Sequence, residues 1–189
     1  MAENRLAVLF PGIGYHCDKP LLYYSQKLAR SAGYQVLTVP YGGFPEKVRG
    51  DRKRLLDSVD IAWTQTKALL SKVDWAEYGD LLFIGKSIGT IAASRYAMKK
   101  DLRARSILLT PLKETFDFIQ GNAVAFHGTA DPWADTPTIE AACRERGLPL
   151  HLTENANHSL ETGDALRDVQ ILHETLRHIR DYMEGRPTT

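Results

Sequence analysis

Three short segments carry the residues best suited to chemistry. Gly85-Lys86-Ser87-Ile88-Gly89 matches G-x-S-x-G, a spacing in which small residues on both sides allow a sharp turn that exposes a serine hydroxyl. A serine hydroxyl is a weak nucleophile at neutral pH and needs a base, held in one tautomer by an acid. His158, in the polar loop Glu154–Ser159, is the candidate base. Asp131, in Gly128-Thr129-Ala130-Asp131-Pro132-Trp133, is the candidate acid. The chemistry would be nucleophilic attack on an acyl carbon.

Each candidate has a competitor. A G-x-S-x-G match arises by chance in roughly 4% of chains of this composition. A glycine-rich turn that opens a helix can also hold a phosphate. Two phosphate motifs are incomplete: Cys17 stands where Gly12-Ile13-Gly14 would need its third glycine, and Lys86-Ser87 lacks the upstream glycine of a P-loop. Asp135 rivals Asp131, but the run Asp135-Thr136-Pro137 reads as a helix start, which gives Asp135 a capping role. Of the other histidines, His173 and His178 fall in the last helix as surface residues, His151 in a strand and His16 in the first loop. His127 ends a strand, where ordering the next loop is a better reading than lining the site.

The elements that must position these groups alternate along the chain. Apolar runs at Leu6–Phe10, Gln35–Val39, Leu81–Gly85, Ser106–Thr110, Ala123–His127 and Pro149–Thr153 read as strands. Between them, Pro20–Ala32, Asp51–Val73, Ile88–Lys100 and Pro137–Arg146 read as helices, with proline near the start or glycine just past the end of several. A final helix shows Leu166, Val169, Leu172, Leu176, Ile179 and Met183 as one apolar stripe. This alternation predicts right-handed βαβ units: an α/β protein, a three-layer α/β/α sandwich around a six-stranded, mainly parallel sheet. Parallel strands end on one edge, so the serine turn, the Asp131 loop and the His158 loop should meet there. Residues 1–184 read as one domain, and 185–189 as a flexible tail.

Composition narrows the partners. Lys plus Arg (24) balance Asp plus Glu (23), so no global field favours nucleic acid. The cluster Arg49, Arg52, Lys53, Arg54 is interrupted by Asp51 and reads as a solvated helix face. Cys17 and Cys143 are too few and too separated for a disulfide framework, which suggests reduced thiols and a cytoplasmic protein. The polar start Met1–Arg5 and the short run after it show no targeting segment or membrane span. No cluster has metal-ligand spacing, and no cofactor is expected.

Taken together, Phe10-Pro11-Gly12-Ile13-Gly14-Tyr15, the Ser87 motif, the Asp131 segment and Asn155-Ala156-Asn157-His158-Ser159-Leu160 give the chain a resemblance to the α/β-hydrolase superfamily. The likeness runs from Leu6 to Met183 and is nearest to small dienelactone hydrolase-like and esterase-like serine hydrolases without a cap domain. The resemblance implies a minimal α/β-hydrolase fold lacking the usual first two strands. It also implies an oxyanion hole built from the backbone N–H groups of Ile13 and Ile88. Pro11 departs from the histidine many relatives carry, and Lys86 from the histidine common beside the nucleophile. Lys86 either binds a substrate carboxylate or pairs with an acid such as Glu114, a surface ion pair being the better reading.

Only Pro111–Gly121 stands where a lid would be inserted, enough for one helical turn in which Phe116, Phe118 and Ile119 roof a pocket. Tyr15, Trp133 and Tyr41 are candidate walls. The leading expectation is a serine hydrolase acting on a small soluble ester or thioester through an acyl-enzyme, with neither nucleic acid nor membrane as partner. Two alternatives are a weakly catalytic binding or scaffold protein that kept the fold, and a cofactor-free lyase or transferase using the same serine. The oligomeric state is not legible.

Overall fold

Short apolar runs alternating with amphipathic stretches fold as strands and helices in turn. The computed structural model describes residues 4–119 and 121–186. Its elements are β1 (Arg5–Phe10), α1 (Pro20–Ser31), β2 (Gln35–Thr38), α2 (Arg52–Leu70), β3 (Asp80–Lys86), α3 (Ile88–Lys100), β4 (Ala104–Leu109), β5 (Ala123–Gly128), α4 (Thr136–Glu145), β6 (Leu150–Thr153) and α5 (Ala165–Met183). Glu184, where the expected domain ends, is the C-cap of α5, and Gly185 and Arg186 hydrogen-bond back to the Tyr182 and Asp181 carbonyls. Residues 187–189 of the expected tail lie outside the described residues.

The strands form one sheet in the order β2-β1-β3-β4-β5-β6, every neighbouring pair parallel. Chain direction therefore reverses across the sheet between β1 and β3, and the loops leaving those two strands diverge into a crevice. Phe10 pairs with Gly85 at that point, so the first loop and the serine turn leave the sheet side by side.

Both sheet faces are covered, which is why the strands are apolar on both sides. Leu9, Leu22, Ile84, Leu109 and Ile179 pack between the sheet and α1 with α5. Val8, Phe10, Ala62, Phe83, Ile91 and Tyr96 pack on the opposite face with α2 and α3. Asp51, Asp135 and Asp164 cap α2, α4 and α5 by accepting from the amides of Arg54, Thr138 and Arg167.

At the edge away from the crevice, Asp80 accepts hydrogen bonds from Arg5 Nε (2.9 Å) and Tyr34 Oη (2.6 Å). Arg105 adds a third contact to the carboxylate at 3.2 Å and also donates to the Tyr182 carbonyl at 3.0 Å. This staple joins β1, β3, β4 and the end of α5. Burial alone would raise the Asp80 pKa; the Tyr34 and Arg5 hydrogen bonds and the Arg105 charge outweigh it and hold the carboxyl below its ordinary value.

Two packing expectations change. The buried face of α5 is Ile171, Thr175, Ile179, Tyr182 and Met183; of the expected stripe Ile179 and Met183 are buried, Leu172 and Leu176 pack at its margin, and Leu166 and Val169 are 80% and 64% exposed. The lid-length segment does make one helical turn, Lys113–Asp117. Phe116 does not roof a pocket, however: it is buried against Leu108, Ala125, Ile139 and Cys143.

Candidate active site

β3 ends at Lys86 and α3 begins at Ile88, so Ser87 alone makes the reversal between strand and helix. It does so at φ 55° and ψ −125°, a backbone state that a non-glycine residue holds only when its surroundings enforce it. Its amide donates to the Leu109 carbonyl, and its carbonyl accepts from the amide and hydroxyl of Thr90. Two glycines give the turn its room. A Cβ at Gly85 would lie 2.7 Å from Thr90 Cα, and one at Gly89 only 2.0 Å from the Phe10 carbonyl oxygen.

The structure brings the three predicted side chains together. His158 Nε2 lies 2.8 Å from Ser87 Oγ, and His158 Nδ1 lies 2.7 Å from Asp131 Oδ2. Asp131 has no exposed side-chain surface, and its Oδ1 accepts from the Trp133 amide at 2.8 Å. Asp135 stands apart as the N-cap of α4, so Asp131 is the carboxylate of the two that lies beside His158. His127 lies beneath the acid, its Nε2 3.1 Å from Thr136 Oγ1 and its Nδ1 3.8 Å from Asp131 Oδ2. It orders the loop rather than facing the hydroxyl.

Three further residues, without an expected role, hold the His158 loop. Thr110, at φ 43°, donates its hydroxyl to the His158 carbonyl at 3.0 Å. Asn157 Oδ1 accepts from the Ser159 amide at 2.7 Å, folding the loop back on itself. Gly128 lets that loop press on the end of β5, since a Cβ there would lie 2.3 Å from the Ala156 carbonyl oxygen.

Electrostatics suit a base. Burial pushes the His158 imidazole down to about 4; the Asp131 hydrogen bond opposes this and the Lys86 charge reinforces it. At neutral pH the ring is therefore uncharged and able to take a proton. The amides of Ile13 and Ile88 donate to no protein acceptor among the described residues. Ile88 is the first residue of α3, where helix geometry leaves N–H groups free for an anion.

Lys86 departs from expectation. It is 1% exposed, and Glu114 pairs with Arg52 instead, at 3.0 Å. A surface ion pair is impossible for it because β3 is covered on both faces. Burial pushes its ammonium down to about 7, against the opposing charges of Asp131 and Glu161.

Hollows open among the loops that leave the strands. One of about 590 Å³ is lined by Gly12, Gly14, Arg30, Tyr41 and Phe44. Another, of about 390 Å³, is lined by Arg52, Leu55, Glu114 and Trp133. Tyr15 lines neither; it faces a separate apolar hollow with Leu21 and Leu160.

Sequence comparison matches no family model and no curated protein. Structural comparison is decisive for the architecture. An α/β serine hydrolase homologue from Coxiella burnetii superposes with a TM-score of 0.64 at 16% identity, over 92% of this chain and 84% of that one. An α/β serine hydrolase without lid from Xanthomonas campestris gives 0.57 at 17% identity, over 98% and 81%. Est1E from Butyrivibrio proteoclasticus gives 0.69 at 13% identity, over 97% and 88%. The chain has the α/β-hydrolase fold. It is a minimal α/β-hydrolase fold of six strands, with one 3-10 turn between β4 and β5 and no cap helices among the described residues there. No helix is long and apolar enough to cross a membrane, and no group of three or more His, Cys, Asp or Glu forms a metal cluster, both among the described residues.

Proposed function

We propose that this protein is a serine hydrolase of small esters or thioesters that works through an acyl-enzyme. The observation that carries the reading is the continuous Ser87–His158–Asp131 hydrogen-bond chain, ending at a hydroxyl on a strained turn. Ser87 Oγ attacks the carbonyl carbon while His158 Nε2 takes its proton, and Asp131 steadies the ring as it charges. The oxyanion of the tetrahedral intermediate is held by the Ile13 and Ile88 amides. Collapse breaks the bond to the alcohol or thiol, which leaves with the proton from His158. Water repeats the sequence to release the acid. The cycle calls for no cofactor, nucleic acid or membrane, and the two free cysteines, Cys17 and Cys143, suit a cytoplasmic setting.

Phe116 is spent on the core rather than on a tunnel. A tunnel would reward each added CH₂ by about 0.8 kcal/mol, and this site forgoes most of that. A structure of Est1E holds ferulic acid, which supports esters of small acids as the first class to try. The test is labelling by a fluorophosphonate, mapped by peptide mass, with kcat/KM for p-nitrophenyl esters from acetyl to palmitoyl. Adduct at Ser87 and a maximum at short chains are expected. An unlabelled serine, or rates rising to palmitoyl, would reject the reading.

A further inference from the structure

The proposed mechanism uses Ser87 and leaves its neighbour unused. Lys86 is a lysine with 1% exposure, and among the described residues no carboxylate comes within ion-pair distance of its ammonium. What it does touch is the first loop. A Cβ at Gly12 would lie 3.0 Å from Ser87 Cβ, 3.2 Å from the Lys86 carbonyl oxygen and 3.6 Å from Lys86 Cγ, so Gly12 stands close over both residues and leaves no room for a side chain. At the far end of the side chain, Nζ sits 4.9 Å from the ring centroid of Tyr15, within cation–π range.

Gly12 and Tyr15 are the two ends of one tight turn. The Gly12 amide donates to the Tyr15 carbonyl at 3.1 Å, and the Tyr15 amide returns a bond to the Gly12 carbonyl at 3.3 Å. Ile13 lies between them. The other side of Tyr15 is also fixed, its Oη accepting from the Leu21 amide at 3.1 Å. The Lys86 side chain thus runs beneath the turn that presents the Ile13 amide, touching it at both ends. Resting on the proposed hydrolase reading, we propose that Lys86 is a positioning residue for the oxyanion: through Gly12 and Tyr15 it sets where the Ile13 N–H stands relative to Ser87.

Lysine suits the task better than a hydrocarbon of the same length. Its stem packs as apolar surface, while its amino end, charged or neutral, sets N–H groups against an aromatic face that an alkyl end would let slide. An oxyanion donor displaced by a fraction of an ångström stabilises the transition state less while leaving ground-state binding nearly intact. The signature is therefore a fall in kcat with KM held.

The experiment compares the wild type with K86M, which keeps length and apolar stem but removes the amino end that faces Tyr15, with Y15L and with the double variant. Each is assayed for kcat and KM on p-nitrophenyl acetate and for the second-order rate of fluorophosphonate labelling at Ser87. The expected result is a fall of tenfold or more in kcat and in labelling rate for K86M, with KM within twofold and melting temperature not lowered. Y15L should lose a similar factor, and the double variant no more than the larger single loss, since both act on one turn. K86M labelled at the wild-type rate, or losses that multiply in the double variant, would overturn the inference alone. If K86M fails to fold, K86Q and Y15L carry the same comparison. A wild type unlabelled at Ser87 would overturn the hydrolase reading and this inference with it.

Discussion

The indole of Trp133 lies stacked on the imidazole of His158, ring centroids 5.5 Å apart and planes 29° from parallel. Trp133 also donates its amide to Asp131, so one residue covers the base and steadies the acid. Trp133→Ala should admit water to the ring. Burial is the first cause holding His158 near 4, so its pKa should rise toward the ordinary 6.5. The acid limb of kcat/KM should then move to higher pH, with a loss of about tenfold at neutrality from a less ordered base. Superimposable pH profiles for variant and wild type would show that the indole does not shield the base.

Asp131 and Asp135 lie four positions apart in sequence and differ in what they hold. Asp131→Asn keeps the shape but offers an amide to His158 Nδ1, which turns the tautomer the wrong way. A loss in kcat on the order of 10²–10⁴-fold is expected. Asp135→Asn keeps a helix cap and should leave kcat unchanged. Comparable losses in the two variants would remove Asp131 from the role.

Gly128 offers a steric test of the His158 loop. Gly128→Ala places a methyl where only 2.3 Å separates it from the Ala156 carbonyl oxygen, so the loop must shift. Overpacking of this kind costs about 1–3 kcal/mol of stability. Activity per folded molecule should fall further than stability implies, because the shift moves Nε2 away from Ser87. Full specific activity with only a lowered melting point would mean that the loop yields without moving the ring.

His151 is predicted to govern much of the acid sensitivity. Its ring lies between Phe126 and His178, at centroid distances of 4.9 and 4.0 Å, and its Nε2 is buried without a partner. Burial first, then the charges of His178 and Arg177, push it down to about 4 from 6.5. The unfolded chain therefore binds the proton more readily, and stability should fall as pH drops from 6.5 toward 4. His151→Phe, which keeps the stack and removes the titration, should flatten the melting temperature over that window. An unchanged slope would assign the acid sensitivity to other groups, His158 first among them.

How much of this was legible beforehand depended on what each residue reports. Proline at the start of α1 and glycine after it mark the helix in sequence, and the continuous apolar runs mark a sheet covered on both faces. Once all strands are parallel, Ser87, Asp131 and His158 must share an edge, so their convergence was legible without coordinates. Lys86 was misread because residue type says surface while its place in β3 says interior, and place won. The face of α5 was caught only in part: Ile171 and Leu172 begin adjacent stripes, and the buried one includes the polar Thr175. The Asp80 staple uses hydrogen bonds between residues 75 and 77 positions apart, and no local pattern announces it.

The loop that carries His158 follows β6, one of the sheet's two edge strands. β6 is four residues long, pairs on one side only, and leaves Leu152 43% exposed. Such a margin is where native-state openings cost least, and they need not involve the stapled edge at Asp80. The molecule should therefore lose its reactive serine before it loses its fold. In a urea series, fluorophosphonate labelling should collapse at a lower concentration than far-ultraviolet circular dichroism, with amides of β6 exchanging ahead of those in β1, β3 and β4. Reinforcing that margin, rather than the interior, should then extend the working range.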